Sequence, residues 1–201
     1  MRAELAPVSW DRMIRAVERV RERMLRAVRA LENANVPYAV AGGNAVAAWV
    51  SRVDETAVRN TRDVDILLRR SDLAAARKAL EAAGFVYRRL SSLGTAGNLE
   101  LFLDGPKGSA RDAVHIVFAQ EKVKADSPAP SPDVTQSEPG DAFRLVTLDA
   151  LVQMKLTAFR DKDRTHLRDL IDVGLLGPEW LPKLSSELAR RLQTILDSPG
   201  G

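Results

Sequence analysis

The sequence predicts an α+β protein, with a mixed central sheet flanked by helices and a C-terminal helical segment. Three observations predict it. A long helical periodicity opens the chain, short apolar runs alternate with helical stretches through the middle, and amphipathic helical stretches close it.

Residues 10–35 read as one long helix. Met13, Val17, Val20, Met24, Val28 and Leu31 recur at spacings of three and four with Arg and Glu between them. Ser9 is placed to cap it, and Val36-Pro37 to end it. The apolar stripe reads as a core face, and Trp10, Trp49 and Trp180 read as packing residues. Residues 38–41 form a strand-sized apolar run that leads directly into Gly42-Gly43, after which residues 44–50 read as helical. Residues 64–68 are apolar on both faces and predict a central strand. Ser71 or Asp72 caps a helix through Ala83 that Gly84 ends. Residues 85–90, 99–103 and 113–119 read as further strands.

Residues 125–133 are rich in Pro, Ser and Ala and read as an exposed loop. Residues 147–159 predict an amphipathic helix capped by Thr147. A charged run at 160–164 and a helix at 165–176 follow. Pro178 and Pro182 bracket a break, residues 184–196 form a last helix, and Ser198-Pro199-Gly200-Gly201 is expected to fray. The organisation read from this is an N-terminal helix packing on the core (1–35), an α/β core (36–121), a Pro-rich connection (122–146) and a C-terminal helical segment (147–201).

Composition sets outer bounds. With 201 residues the chain can bury a core, and it has no cysteine, so it is not a disulfide scaffold. No apolar run approaches the roughly 20 residues of a membrane span, and no leader is visible, so the expectation is a cytoplasmic protein without a membrane partner. The net charge of +3 leans mildly toward anionic partners such as NTPs or RNA.

The chemistry centres on a strand, Gly42-Gly43, a helix, and Asp63-Val64-Asp65 leading into another strand. Residues two apart on a strand share a face, so Asp63 and Asp65 present two carboxylates side by side. Like charges held that close call for a cation. Mg²⁺ suits carboxylate and phosphate oxygens, and a pair of such ions stabilises the attacking and leaving oxygens of phosphoryl transfer. Glycines let backbone N–H groups approach a triphosphate, and the following helix offers its positive end. Taken singly, a Gly-Gly is usually a tight turn and an Asp-x-Asp a solvated strand end. Their order along the chain is what a nucleotide site requires.

Ala41-Gly42-Gly43-Asn44-Ala45 and Asn60-Thr61-Arg62-Asp63-Val64-Asp65 resemble the two signature segments of minimal nucleotidyltransferases of the polymerase-β superfamily. The similarity is greatest to the AbiEii-like branch and to related toxin–antitoxin and antibiotic-modifying branches. The run from Met154-Lys155-Leu156 through Arg160-Asp161-Lys162-Asp163 to His166-Leu167-Arg168-Asp169 is similar to a C-terminal helical motif of those branches. The resemblance implies the nucleotidyltransferase fold and transfer of a nucleotidyl group from an NTP to a hydroxyl of RNA, a protein or a small molecule. It implies Mg²⁺ or Mn²⁺ at Asp63 and Asp65, and a nucleotide held by Gly42, Gly43, Asn44, Arg62, Lys155, Arg160 and Lys162. Lys155 would place its ammonium on phosphate, although a lysine snorkelling from a packed face fits the same pattern.

The third acid of the superfamily falls on the strand at 113–119, where this chain has His115. Asp112 is expected to face the other way. A histidine is better suited to Zn²⁺ or Mn²⁺ than to Mg²⁺, and it also reads as a core histidine. His166 and Asp169, three apart on a helix, are a weaker candidate metal pair. The chain is therefore an enzyme using Asp63, Asp65, His115 and Lys155, a nucleotide binder without turnover, or a catalytically degenerate scaffold acting as a toxin–antitoxin-type interaction protein. The sequence leaves the three open.

Overall fold

The computed structural model describes residues 7–90 and 99–198. The expected fraying of the last three residues lies outside them, as does the N-terminal stretch 1–6 on which the leader reading rests.

The helix α1 spans Trp10–Asn33, and the Ser9 hydroxyl accepts the Arg12 N–H at 3.4 Å. It stops earlier than the proline predicts. Asn35 adopts a left-handed φ of 54°, and the Val36 N–H returns to the Leu31 carbonyl at 2.9 Å. Asn tolerates that conformation, and Val36 closes the turn by burying its side chain near Leu31.

The strand β1 (Tyr38–Ala41) runs directly into α2 (Gly42–Ser51), so Gly42-Gly43 forms the first turn of the helix rather than a loop before it. Then come β2 (Val64–Leu68), α3 (Leu73–Ala82), β3 (Val86–Leu90), β4 (Leu99–Leu103) and β5 (Ala113–Phe118). Two short strands follow, β6 (Ser137–Pro139) and β7 (Arg144–Val146), and three helices close the chain: α4 (Leu148–Ala158), α5 (Asp161–Asp172) and α6 (Ser186–Leu196).

One mixed sheet organises these elements, in the order β3-β4-β5-β2-β1-β7-β6. β2 lies at its centre, antiparallel to β1 and parallel to β5. Four of its five residues are buried, as a strand covered on both faces requires. On one face, Val40, Val64, Ile66, Leu68, Phe102, Val114 and Ile116 pack with Met24, Val28 and Leu31 of α1 and with Ala76 and Leu80 of α3. On the other, Ala39, Ala41 and Leu67 pack with α2 and the C-terminal helices through Trp49, Leu151, Leu156, Leu167, Leu170 and Leu192. Trp49 and Trp180 are buried as expected.

Two expectations need correction. The stripe of α1 is core only in its second half: Trp10 is 76% exposed, Met13 55% and Val17 42%, whereas Val28 and Leu31 are fully buried. The 3.6-residue period shows which side of a helix is apolar, but not how far the sheet beneath it extends. Trp10→Ser should therefore change stability by less than about 0.5 kcal/mol. Leu31→Ala, in the buried half, should cost about 2–5 kcal/mol. Urea unfolding midpoints of the two variants check the contrast.

The second correction concerns the Pro-rich connection at residues 122–146, in which 125–133 read as an exposed loop. Their later part supplies β6 and β7, and β7 joins the sheet parallel to β1 with Val40 opposite Leu145. Val134, Ser127 and Ser131 are buried, and Asp133 accepts two hydrogen bonds from the Arg69 guanidinium, at 2.7 and 3.0 Å. The proline- and serine-rich composition hides these contacts because they are made by backbone and by one distant arginine.

Candidate active site

Asp65 is the second residue of β2, and Asp63 immediately precedes that strand. Val64 between them is fully buried on the opposite face and locks the alternation. Strand pairing does the rest. Asp65 lies opposite Ala41 on β1 and opposite His115 on β5. Ligand atoms of Asp63, Asp65 and His115 all fall within 4.8 Å of one another. Residues 50 positions apart thus meet because β2 and β5 run parallel and in this register.

Asp63 is held from several sides. The Thr61 hydroxyl donates to its Oδ1 at 2.7 Å, the Asn44 side-chain amide donates to its backbone carbonyl at 2.8 Å, and the Lys162 ammonium stands 3.6 Å from its Oδ2. Burial works to raise the Asp63 pKa. The Thr61 hydrogen bond and Lys162 outweigh it, so the carboxyl sits below its ordinary range. Asp65 goes the other way. Burial, then the Asp63 charge, raise its pKa, and Lys155, His115 and Lys162 offset this only in part. The two carboxylates are driven apart as a close pair in a partly dry site should be.

The glycines have a specific steric reason. Gly42 has a φ of 65°, and a Cβ built there would lie 1.8 Å from Asp65 Oδ2. A Cβ on Gly43 would lie 2.9 Å from the Thr61 side chain. The helix start therefore sits directly against the residues that form the acidic floor. No side chain caps α2 at Ala41, which leaves the first N–H groups of a buried helix beside the carboxylates. Gly42→Ala should displace Asp65 or unwind the first turn of α2, at a cost of about 1–3 kcal/mol. Its metal-dependent binding should fall more than that of Gly84→Ala, where the added Cβ meets nothing within 4 Å although φ is also positive. Thermal melts with and without divalent metal and NTP separate strain from loss of the site.

His115 Nε2 lies 2.8 Å from the Ala110 carbonyl oxygen. A carbonyl only accepts, so Nε2 carries the hydrogen. In the neutral form of the ring the lone pair is then on Nδ1, which stands 3.9 Å from Asp65 Oδ1. That is beyond hydrogen-bond length. Two carboxylates and an imine nitrogen, all acceptors, converge on one region.

The C-terminal segment brings Lys162 to this region but places Lys155 deeper. Lys155 is 5% exposed, and its ammonium lies 3.2 Å from Asp163 Oδ1. Burial lowers its pKa, and Asp163 and Asp65 work against that. Asp163 itself is fully buried, although it lies within the charged run at 160–164. It accepts the Arg160 guanidinium at 2.7 Å and the Arg160 backbone N–H at 3.3 Å. An acid three residues into a helix is an N-terminal capping signal. Phe159, left-handed at φ 49°, breaks the chain between α4 and α5 immediately before it. That pattern was the available clue.

Arg62, Asp112 and Asp169 are engaged with other partners. Arg62 is exposed and pairs with Asp112 at 3.1 Å, while its carbonyl accepts from the buried Arg23 at 2.9 Å. Asp112 belongs to a short 3-10 turn before β5, not to the strand. Asp169 is tied to Arg59 at 2.7 Å rather than to His166. His166 is half-buried, and burial, then Lys155, push its pKa down to about 4, so its ring is neutral.

The comparisons with known proteins agree with this architecture. A family model described as "Nucleotidyl transferase AbiEii toxin, Type IV TA system" matches residues 23–200. The chain belongs to the AbiEii nucleotidyltransferase family. Among solved structures it is similar to an antigenic nucleotidyltransferase-like protein from Paracoccidioides brasiliensis, with 17% identity and a TM-score of 0.55 over 96% of this chain and 90% of that one. It is also similar to a candidate nucleotidyltransferase from H. pylori, with 13% identity and a TM-score of 0.50 over 96% of this chain and 79% of that one. At these identities the likeness shows the nucleotidyltransferase fold. No match was found among curated proteins. The AbiEii match begins at Arg23, so the exposed half of α1 lies outside the shared region. Among the described residues no helix is long and apolar enough to cross a membrane.

Proposed function

We propose that the chain transfers a nucleotidyl group from an NTP to an acceptor hydroxyl with the help of divalent metal. The observation that carries this reading is the convergence of Asp63, Asp65 and His115 within 4.8 Å, against the uncapped start of α2. The donor set fits a cation: two carboxylates, one of them with its pKa raised by burial and its neighbour, and an imidazole lone pair on the same side. When bound, the metal would neutralise charge on the phosphates and on the attacking and leaving oxygens.

The acceptor hydroxyl oxygen attacks the α-phosphorus and gives up its proton to solvent, the bond from that phosphorus to the α–β bridging oxygen breaks, and pyrophosphate leaves. Asp63 and Asp65 would hold the metal. Gly42 and Gly43 let phosphate approach the α2 backbone. Lys162, half-exposed and 3.6 Å from Asp63, is the cation best placed for phosphate. Lys155 has its ammonium committed to Asp163 and acts here as a positioning residue that holds the start of α5 and faces Asp65 with positive charge. Family membership supports, as part of the same proposal, an acceptor among RNA, a protein side chain or a small molecule, and an antitoxin as a regulatory partner.

Incubating the protein with α-labelled NTPs, Mg²⁺ or Mn²⁺, and total RNA or lysate tests this reading. Label transfer from the α position, with release of pyrophosphate, is the expected result. Metal-dependent NTP binding without any transfer would replace it with the nucleotide-binding reading.

A further inference from the structure

We propose that His115, through Nδ1, turns the carboxylate pair into a mixed nitrogen–oxygen site that selects a first-row transition dication of the Mn²⁺ class over Mg²⁺. The proposal rests on the reading of Asp63 and Asp65 as metal ligands, and it adds which ion they hold and why.

Three features carry it. The first is the tautomer. The Ala110 carbonyl, 2.8 Å from Nε2, takes the ring hydrogen there and leaves a lone pair on the nitrogen that faces the acids. A backbone carbonyl that fixes the ring in this way is the usual outer partner of a metal-bound imidazole. The second is the spacing. At 3.9 Å, Nδ1 and Asp65 Oδ1 are too far apart for a hydrogen-bonded ion pair, yet both lie within the 4.8 Å cluster that includes Asp63. A core histidine satisfied by its neighbours would use both nitrogens, and here the second nitrogen points to acceptors. The third is confinement. His115 is flanked across the sheet by fully buried Leu101 on β4 and by Asp65 on β2, and its side chain is 21% exposed. The ring has little room to turn away.

The consequence is one of donor chemistry. Mg²⁺ prefers six oxygens and gives up water reluctantly, so an imidazole adds little to its binding. Along the first-row dications, affinity for a nitrogen-containing site rises from Mn²⁺ through Co²⁺. A third carboxylate at this position would suit Mg²⁺ and Mn²⁺ alike as a ligand type and discriminate less between them, whereas the imidazole widens the preference for the transition ion.

The test titrates the whole protein with Mg²⁺, Mn²⁺ and Co²⁺ by calorimetry, and records pulsed electron paramagnetic resonance on the Mn²⁺-loaded protein. The wild type should bind in the order Mg²⁺, Mn²⁺, Co²⁺, weakest first, and its Mn²⁺ signal should show coupling to ¹⁴N. In His115→Asp the ratio of Mn²⁺ to Mg²⁺ affinity should fall by about tenfold or more, and the ¹⁴N coupling should vanish. His115→Asn, which keeps a neutral side chain of similar reach, should also lose the coupling. The wild-type spectrum needs no variant, so a folding defect in either substitution does not block the test. Mn²⁺ bound to the wild type without ¹⁴N coupling overturns the proposal, as does an unchanged affinity ratio in a folded His115→Asp, or no binding of any of the three ions. If ¹⁴N coupling is present but no NTP label is transferred, the metal assignment stands and the transferase reading fails.

Discussion

Asp65→Asn should lower nucleotidyl transfer by roughly 10²–10³-fold while leaving the metal-free protein at least as stable as the parent. The substitution is close to isosteric, so it keeps the contact with Gly42 that admits no larger atom. What it removes is a largely buried negative charge next to another one. Burial and Asp63 raise the Asp65 pKa. A carboxyl whose folded pKa lies above its unfolded value contributes stability below the unfolded value and loses it as the pH rises through the folded one. Metal-free wild type should therefore lose stability over that rise, and Asp65→Asn should flatten this part of the curve. Melting temperatures between pH 4 and 8, with chelator and then with metal, measure it. A protein that unfolds on this substitution would show that the carboxylate is structural and would remove the metal assignment with it.

Asp163→Ala is the variant expected to damage the fold most. Asp163 is fully buried and receives Lys155, Arg160 and the Arg160 backbone N–H. Its removal strands the Lys155 ammonium, itself 5% exposed, without a counter-charge. Breaking one side of such a pair costs about 3–5 kcal/mol, which for a chain of this size lowers Tm by roughly 10 °C. Arg160 suffers less, because more than half of its side chain is exposed and it can turn to water. The double variant Lys155→Met with Asp163→Leu should recover much of the loss, since it removes both buried charges together. Denaturant midpoints of the single and double variants decide this. The sign with pH is opposite to that of Asp65. Burial works to raise the Asp163 pKa, and the Arg160 and Lys155 contacts outweigh it, so the carboxyl is held below its ordinary range. Its contribution is present above the unfolded pKa and fades as the pH falls through the folded one. A double variant as unstable as the single would mean that Asp163 acts mainly as the helix cap of α5.

Much of this was legible in the residues themselves. Alternation put Asp63 and Asp65 on one face, because a strand has a period of two wherever it is found. The apolar runs and the caps Ser9 and Thr147 located α1, β1, β2 and α4, because capping and periodicity are local properties. Gly42-Gly43 was visible as a special backbone position, but its reason, a carboxylate oxygen where a Cβ would stand, belongs to a residue 23 positions later. His115 could be named as the departure from a three-acid pattern. Only the parallel register of β2 and β5 put it opposite Asp65, and only the Ala110 carbonyl decided which nitrogen faces the acids.

The same division separates Trp10 from Trp49 and Asp163 from Asp161. Each pair looks alike in sequence, and within each pair one residue is exposed and the other buried. Local chemistry by itself determined which segments become helices and strands and which carboxylates share a face. The tertiary structure decided how far the sheet shelters α1, which of the charges at 160–164 is dehydrated, and which distant side chain completes the acidic site. Those are questions of what lies across the gap from a residue. Hydrophobic burial and charge desolvation depend on that neighbour, and periodicity along one chain does not contain it.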